Sequence, residues 1–166
     1  NNMAIQIYSD DSNATTHNSL EAYTSKGSIV TPTAVAADDI MFSYSHYGYD
    51  GSQYKLSSVI SASVDPDATV SSGAVPGQLI IATTPDNGST LKFVVLDKDG
   101  NFGINVTNPT KKLEVNGNGQ FASEVLLGRM DQTAINALTA ANGMIVYNTT
   151  TNKFQGYENG AWSNLI

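Results

Sequence analysis

Asp97, Asp99 and Asn101 stand at the first, third and fifth places of an EF-hand calcium loop, in the stretch DKDGNFGIN. Such a loop closes on its cation only if a Gly at the sixth place allows a sharp turn and a Glu at the twelfth supplies two oxygens. Here those places hold Phe102 and Asn108. The preceding TLKFVVL sets Leu91, Phe93 and Val95 against Lys92, Val94 and Leu96, which is the period of a strand, whereas an EF-hand needs a helix there. Asp99-Gly100 therefore reads as a β-hairpin turn of type I′, whose two positive-φ positions suit Asp and Gly. No metal site is expected.

The remaining candidates for chemistry are sparse. His17 and His46 belong to no metal-ligand spacing. The pairs Asp10-Asp11 and Asp38-Asp39 are adjacent residues, which on a strand point to opposite faces and in a turn are solvated, so they make poor acid–base partners. No nucleophile elbow, P-loop or dinucleotide fingerprint occurs. A glycosidase pair drawn from distant carboxylates would leave no local trace, but no motif points to catalysis. We expect no enzyme and no cofactor.

Aromatic residues are more informative. Tyr44, His46, Tyr47 and Tyr49, with Tyr54, flank the Asp50-Gly51 turn, and Phe154, Tyr157 and Trp162 alternate with polar residues around Asn159-Gly160. A flat apolar ring beside a polar handle suits recognition of a sugar or a protein surface. Tyr44, His46, Tyr47, Tyr49, Tyr157, Asn159 and Trp162 are the candidate receptor contacts. The competing reading packs the first cluster in an interface between copies and Trp162 in a small core. Asn13, Asn87, Asn105 and Asn148 head N-x-[ST] sequons, expected by chance in so Asn-, Ser- and Thr-rich a chain.

These residues must be positioned by 166 residues of low charge, with 14 Gly and 5 Pro. That composition suits many short strands joined by turns, an all-β chain. A net charge of -7 with 8 Lys and Arg lacks the basic footprint of nucleic-acid binding. Without Cys there is no disulfide or thiol nucleophile. No apolar run is long enough for a membrane-spanning helix, and the N-terminus carries no signal-peptide pattern. The missing initial Met leads us to expect a piece of a longer protein.

AIQIYSD and SLEAYTSKGS read as strands of a first hairpin that Pro32 ends. IMFSYSHYGYDGSQY puts Phe42, Tyr44 and His46 on one face and Met41, Ser43, Ser45 and Tyr47 on the other. KLSSVISASVD reads as a strand with one buried apolar face and one mostly hydroxylic face. QLIIATT and TLKFVVL pair across PDNGS, and KKLEV and GQFASEVLL follow as strands. MDQTAINALTAANG predicts a helix of about three turns, with Asp131 as N-cap and Asn142-Gly143 at its end. MIVY, KFQGYE and AWSNLI then predict a β-meander too small to stand alone.

The stretch from Ser71 to Gly117 resembles the segment that recurs in phage tail-fibre and related trimeric fibre receptor-binding proteins. The shared positions are Pro76, Gly77, Leu79, Thr83, Thr84, Asp97, Gly100, Asn101, Gly103, Ile104, Asn108, Pro109, Lys112, Leu113, Val115 and Gly117. The residues upstream and the C-terminal meander resemble modules found beside it in such fibres. Asn105 departs from the family, which usually has Gly there. The C-terminal chaperone that many such fibres shed is not expected among these 166 residues.

The resemblance implies a homotrimer, an intertwined or side-by-side β-sandwich or β-prism fibre head with one short helix and a small C-terminal β-meander. Short strands with open edges have reason to bury themselves against copies, but the number three comes from the resemblance. It further implies a β-rich head over 1–100, a β-prism neck over 101–128 and a tip module over 129–166. The expected function is attachment of a phage tail fibre to a bacterial cell-surface glycan or protein, outside the cell and on the virion, without nucleic acid or membrane insertion. A bacterial surface adhesin, a purely structural fibre segment and a depolymerising tailspike are the alternatives.

Overall fold

The structure, a computed structural model, describes residues 22–28 and 30–165. The AIQIYSD strand, Asp10-Asp11, Asn13 and His17 lie outside them. The fold is all-β with one short helix, and it divides into a compact unit reaching Asn118 and a second beginning at Gly119.

The first unit opens with a hairpin of β1 (Lys26–Ser28) and β2 (Thr31–Thr33). The hairpin that Pro32 was expected to end has its AIQIYSD strand outside the described residues; Pro32 itself sits inside β2 opposite Gly27, where a two-stranded ribbon leaves its missing N–H without consequence. A six-stranded sheet follows, made of β3 (Ile40–Tyr49), β4 (Tyr54–Val64), β5 (Gly77–Thr83), β6 (Lys92–Leu96), β7 (Phe102–Ile104) and β8 (Leu113–Val115), in that order. All neighbours are antiparallel except β7 and β8.

The β6–β7 hairpin confirms that DKDGNFGIN is a turn, but not of type I′. Leu96 pairs with Phe102, the Gly100 N–H donates to the Asp97 carbonyl (3.1 Å), and Gly100 adopts a φ of 70° while Asp99 stays out of the left-handed region. A three-residue loop of this kind needs only one positive φ, so the Asp is free to act as a cap. The Asp97 carboxylate accepts from the amides of Asp99 (2.9 Å) and Asn101 (2.8 Å). Burial pushes its carboxyl up, but those amides, the Asn101 side chain and neighbouring Lys98 outweigh it and hold the group below the ordinary range. Asn105, the departure from the family pattern, has φ 54°, a conformation Asn tolerates next after Gly. Its side chain also accepts from the Phe93 N–H (3.2 Å), which Gly could not do.

Register lines up whole rows across the sheet, because paired residues share a face. One row runs Phe42–Ala62–Leu79–Leu96–Phe102–Leu113, and the next Tyr44–Ile60–Ile81–Val94–Ile104–Val115. The opposite face, with Val59, Ser61, Ile80, Ala82, Phe93 and Val95, is partly overlain by Pro66, Thr107 and Asn108 around a depression of about 650 Å³. Val35, Val64, Ala82 and Val95 are the buried apolar residues of this unit among those described. The buried carboxylate of Asp65 accepts from the Lys98 amide (3.2 Å) and so ties the loop after β4 to the β6–β7 turn.

The second unit is a four-stranded sheet, β12 (Ala161–Asn164), β11 (Lys153–Glu158), β10 (Ile145–Asn148) and β9 (Arg129–Met130) in spatial order. The expected meander is β10–β11–β12, and the Asn159-Gly160 turn has positive φ at both residues, 51° and 81°, as type I′ requires. Parallel pairing of β9 with β10 needs a crossover, which carries α1 (Gln132–Asn136). Asp131 caps it by accepting from the Ala134 N–H (2.8 Å), and Ile135 is fully buried beneath it. The helix is shorter than the predicted three turns. The Leu138 N–H reaches only to the Ile135 carbonyl, an i→i+3 bond, where the poor helix formers Asn136 and Thr139 follow the single anchoring side chain. GQFASEVLL forms no strand, since no described strand pairs with it; Phe121 and Leu126 stand exposed.

Gly103 in β7 is the tightest glycine of the six-stranded sheet. A Cβ there would lie 2.6 Å from the Val106 carbonyl, whereas one at Gly48 in β3 would meet nothing within 4 Å. Gly103→Ala is expected to destabilise the protein by about 1–3 kcal/mol through overpacking, and Gly48→Ala to stay within about 0.5 kcal/mol of the parent, measured by thermal or denaturant unfolding.

Candidate functional site

The seven candidate contacts fall into three places. Strand alternation puts Tyr44 and His46 on the face of the two apolar rows and Tyr47 and Tyr49 on the other. Tyr157, Asn159 and Trp162 belong to the second unit.

Tyr44 and His46 meet edge to face, with ring centroids 4.5 Å apart, and His46 Nδ1 shares a hydrogen bond with the Ser58 hydroxyl (3.1 Å). His46 thereby begins a third row, His46–Ser58–Thr83–Lys92, polar throughout, which borders the apolar rows. Tyr44 is part of the apolar surface itself.

Tyr47, Tyr49 and Tyr54 stand at the end of the long β3–β4 hairpin, each well exposed. Skipping Ser57 in the pairing, His46 with Ser58 and then Tyr47 with Leu56, adds twist there, so the hairpin end departs from the plane of the sheet. Tyr49 and Tyr54 pair across the strands with centroids 5.4 Å apart. The loop between them is held by the Asp50 carboxylate, which accepts from Ser52 N–H (2.8 Å), Ser52 Oγ (2.9 Å) and Gln53 N–H (2.8 Å). The Gln53 amide above all, then Ser52, keeps its pKa below the usual value. The result is a pair of exposed rings on a closed polar turn.

In the second unit Tyr157 and Trp162 are half-buried against each other, centroids 5.2 Å apart, and the Tyr157 hydroxyl donates to the Gly160 carbonyl (2.9 Å). This tyrosine pins the Asn159-Gly160 turn, and its polar end is already engaged. Asn148, of the last sequon, is fully buried: Nδ2 donates to Gln132 (2.8 Å) and Gln155 (3.1 Å), and Oδ1 accepts from the Thr150 and Thr151 amides. Val125, Leu126 and Leu127 line a groove with Arg129, Tyr147 and Phe154, in which Arg129 lies over the Tyr147 ring at 5.6 Å.

The largest feature was not singled out in the sequence. The two apolar rows form an uncovered face on which Leu113 is 57% and Ile81 46% exposed, against 1% for Val95 on the overlain side. The apolar face of β4, expected to be buried, is buried only at its end, where Val64 is fully enclosed; Ile60, in its middle, is exposed. The signal was present in the adjacent apolar pairs Ile80-Ile81 and Val94-Val95, since a strand that is apolar on both sides is a strand meant to be covered twice. Among the described residues no cluster of three or more His, Asp or Glu is arranged to hold a metal ion, and no helix is long and apolar enough to cross a membrane.

Residues 103–166 match the family model described as a phage tail like trimerisation region. No curated protein matches the chain. The match supports a homotrimeric, phage tail-like structural protein and a place in a virion tail.

Because the folded pKa of Asp50 lies below its unfolded value, the order it gives the hairpin loop is complete above about pH 4 and is lost as pH falls through the lowered pKa. Amide hydrogen exchange at Ser52 and Gln53 is expected to accelerate below pH 4, after correction for intrinsic rates. Asp50→Ala should show the same loosening at neutral pH.

Proposed function

We propose that this protein is the receptor-attaching part of a trimeric phage tail-like fibre and acts by binding, without catalysis, on a glycan or protein of a bacterial cell surface. The observation that carries the attachment reading is the exposed Tyr49–Tyr54 pair with Tyr47, presented on a turn that Asp50 rigidifies. Aromatic side chains with few rotatable bonds provide contact area at low entropic cost, and a sugar ring or an apolar protein patch lies well on them. Three copies on one fibre convert a weak site into firm attachment when the receptors are spaced to match. Tyr157, Asn159 and Trp162 contribute less to this reading, because the tyrosine hydroxyl and the asparagine backbone are committed to the turn.

A purely structural segment is the second reading, and the family match favours it, since its description names trimerisation alone. A bacterial surface adhesin of the same build would use the same hairpin.

The two readings separate by binding. The purified protein, applied to a glycan array and to intact bacterial cells, is expected to bind one class of glycan or one set of strains. Tyr49→Ala with Tyr54→Ala should lower that binding at least tenfold while unfolding at nearly the parent temperature, because both rings are exposed. Binding to neither surface, or binding indifferent to the substitutions, would leave the structural reading.

A further inference from the structure

The trimerisation match starts at residue 103, in the middle of β7, yet the apolar rows to which β7 and β8 belong do not stop there. Ile104, Leu113 and Val115 lie inside the matched region. Register carries their rows without interruption through Leu96, Ile81 and Ile60 to Phe42 and Tyr44, far upstream of it. We infer that this entire face of the six-stranded sheet is the contact surface for two further copies of the same chain, so that the trimer is held by β3–β6 as well as by the matched region. The inference rests on the trimeric reading above and adds where the copies touch.

Several observations fix the occupant. The face spans six strands, roughly 24 Å across at the usual strand spacing, and neither row holds a charged side chain. Copies of a chain with net charge -7 repel one another, and a contact surface free of carboxylates is where they can approach without desolvating charge. The polar row from His46 to Lys92 borders the patch on one side, as a hydrated rim borders an apolar interface centre. Continuity with Ile104, Leu113 and Val115, which share these rows and lie inside the trimerisation match, selects a copy of this chain over a foreign partner. Around a three-fold axis each sheet turns this face inward and meets both neighbours, which closes the assembly.

The test uses the full chain. The parent protein is expected to have the mass of three chains by light scattering, and Leu79→Lys with Ile81→Lys to reduce it to one chain while keeping the far-ultraviolet circular dichroism of a folded β protein. Thr69→Lys, at an exposed loop position, should remain trimeric. A double variant that keeps the mass of three chains would confine the interface to the matched region and overturn the inference, leaving the trimeric reading intact. A parent protein of single-chain mass would overturn both.

Since lysines at these positions can also disturb folding, a second readout uses the chain's lack of Cys. In intact trimers, maleimide should modify Ile81→Cys at least tenfold more slowly than Thr69→Cys, and dilution to monomers should abolish the difference. Equal rates in the trimer would overturn the inference. Receptor binding enters neither readout, so failure of the attachment reading is separately visible.

Discussion

Register between neighbouring strands is the constraint on which the rest of this molecule depends. Side chains alternate along a strand, so a slip of β4 by one residue against β5 would replace Ile60 and Ala62 by Ser61 and Ser63 on the face that holds Leu79 and Ile81. Both faces of this sheet are apolar in its middle, so hydrophobicity alone specifies the register weakly. The specification comes from the turns and loops at the strand ends, where polar side chains bind backbone amides.

Those fixings are local and numerous. Asp97 closes the β6–β7 loop, Asp50 the β3–β4 loop, and Asn87 accepts from the Ser89 amide and hydroxyl between β5 and β6. Asp65 and Thr84 act over longer distances, the first by holding the Lys98 amide, the second by donating to the Leu56 carbonyl (2.7 Å). The second unit works in the same way: the buried Asn148 joins α1, β10 and β11 through Gln132 and Gln155, and Gln155 passes the chain of amides on to Asn164 in β12 (3.0 Å). Satisfied amide networks of this kind select one packing, since a misplaced member would leave a buried polar group without a partner. The small apolar core, Ile135 and Val146, gives this unit little else to set its geometry.

Local signals in the sequence were legible where a short stretch contains its own physics. Alternation gave β3, β4 and β6, the hairpin turns stood where Asp-Gly and Asn-Gly predicted, and Asp131 caps the helix. The type of the Asp99-Gly100 turn was misread, because a dipeptide does not disclose whether two or three residues close the loop. The helix was overextended, since TAINALTAAN keeps an apolar period beyond Ile135 although the backbone tightens there. GQFASEVLL illustrates another limit: β propensity does not supply a partner edge. The surface rows were hidden for a different reason. They exist only once six strands are placed side by side, and no window of sequence contains Tyr44, Ile81 and Val115 together.

The bulges of the β3–β4 hairpin have an effect on the fate of the chain before it is assembled. β3 is a ten-residue strand at one edge of the sheet, and a long flat edge recruits further strands without limit. The register shifts at Met41 in β3 and at Ser57 in β4 break the ladder between the two strands and bend and twist the edge that β3 presents. Stacking into amyloid-like polymers is thereby handicapped during the interval in which a freshly made chain still shows its greasy side to the solvent. Colloidal safety and the capacity to assemble thus reside in one hairpin.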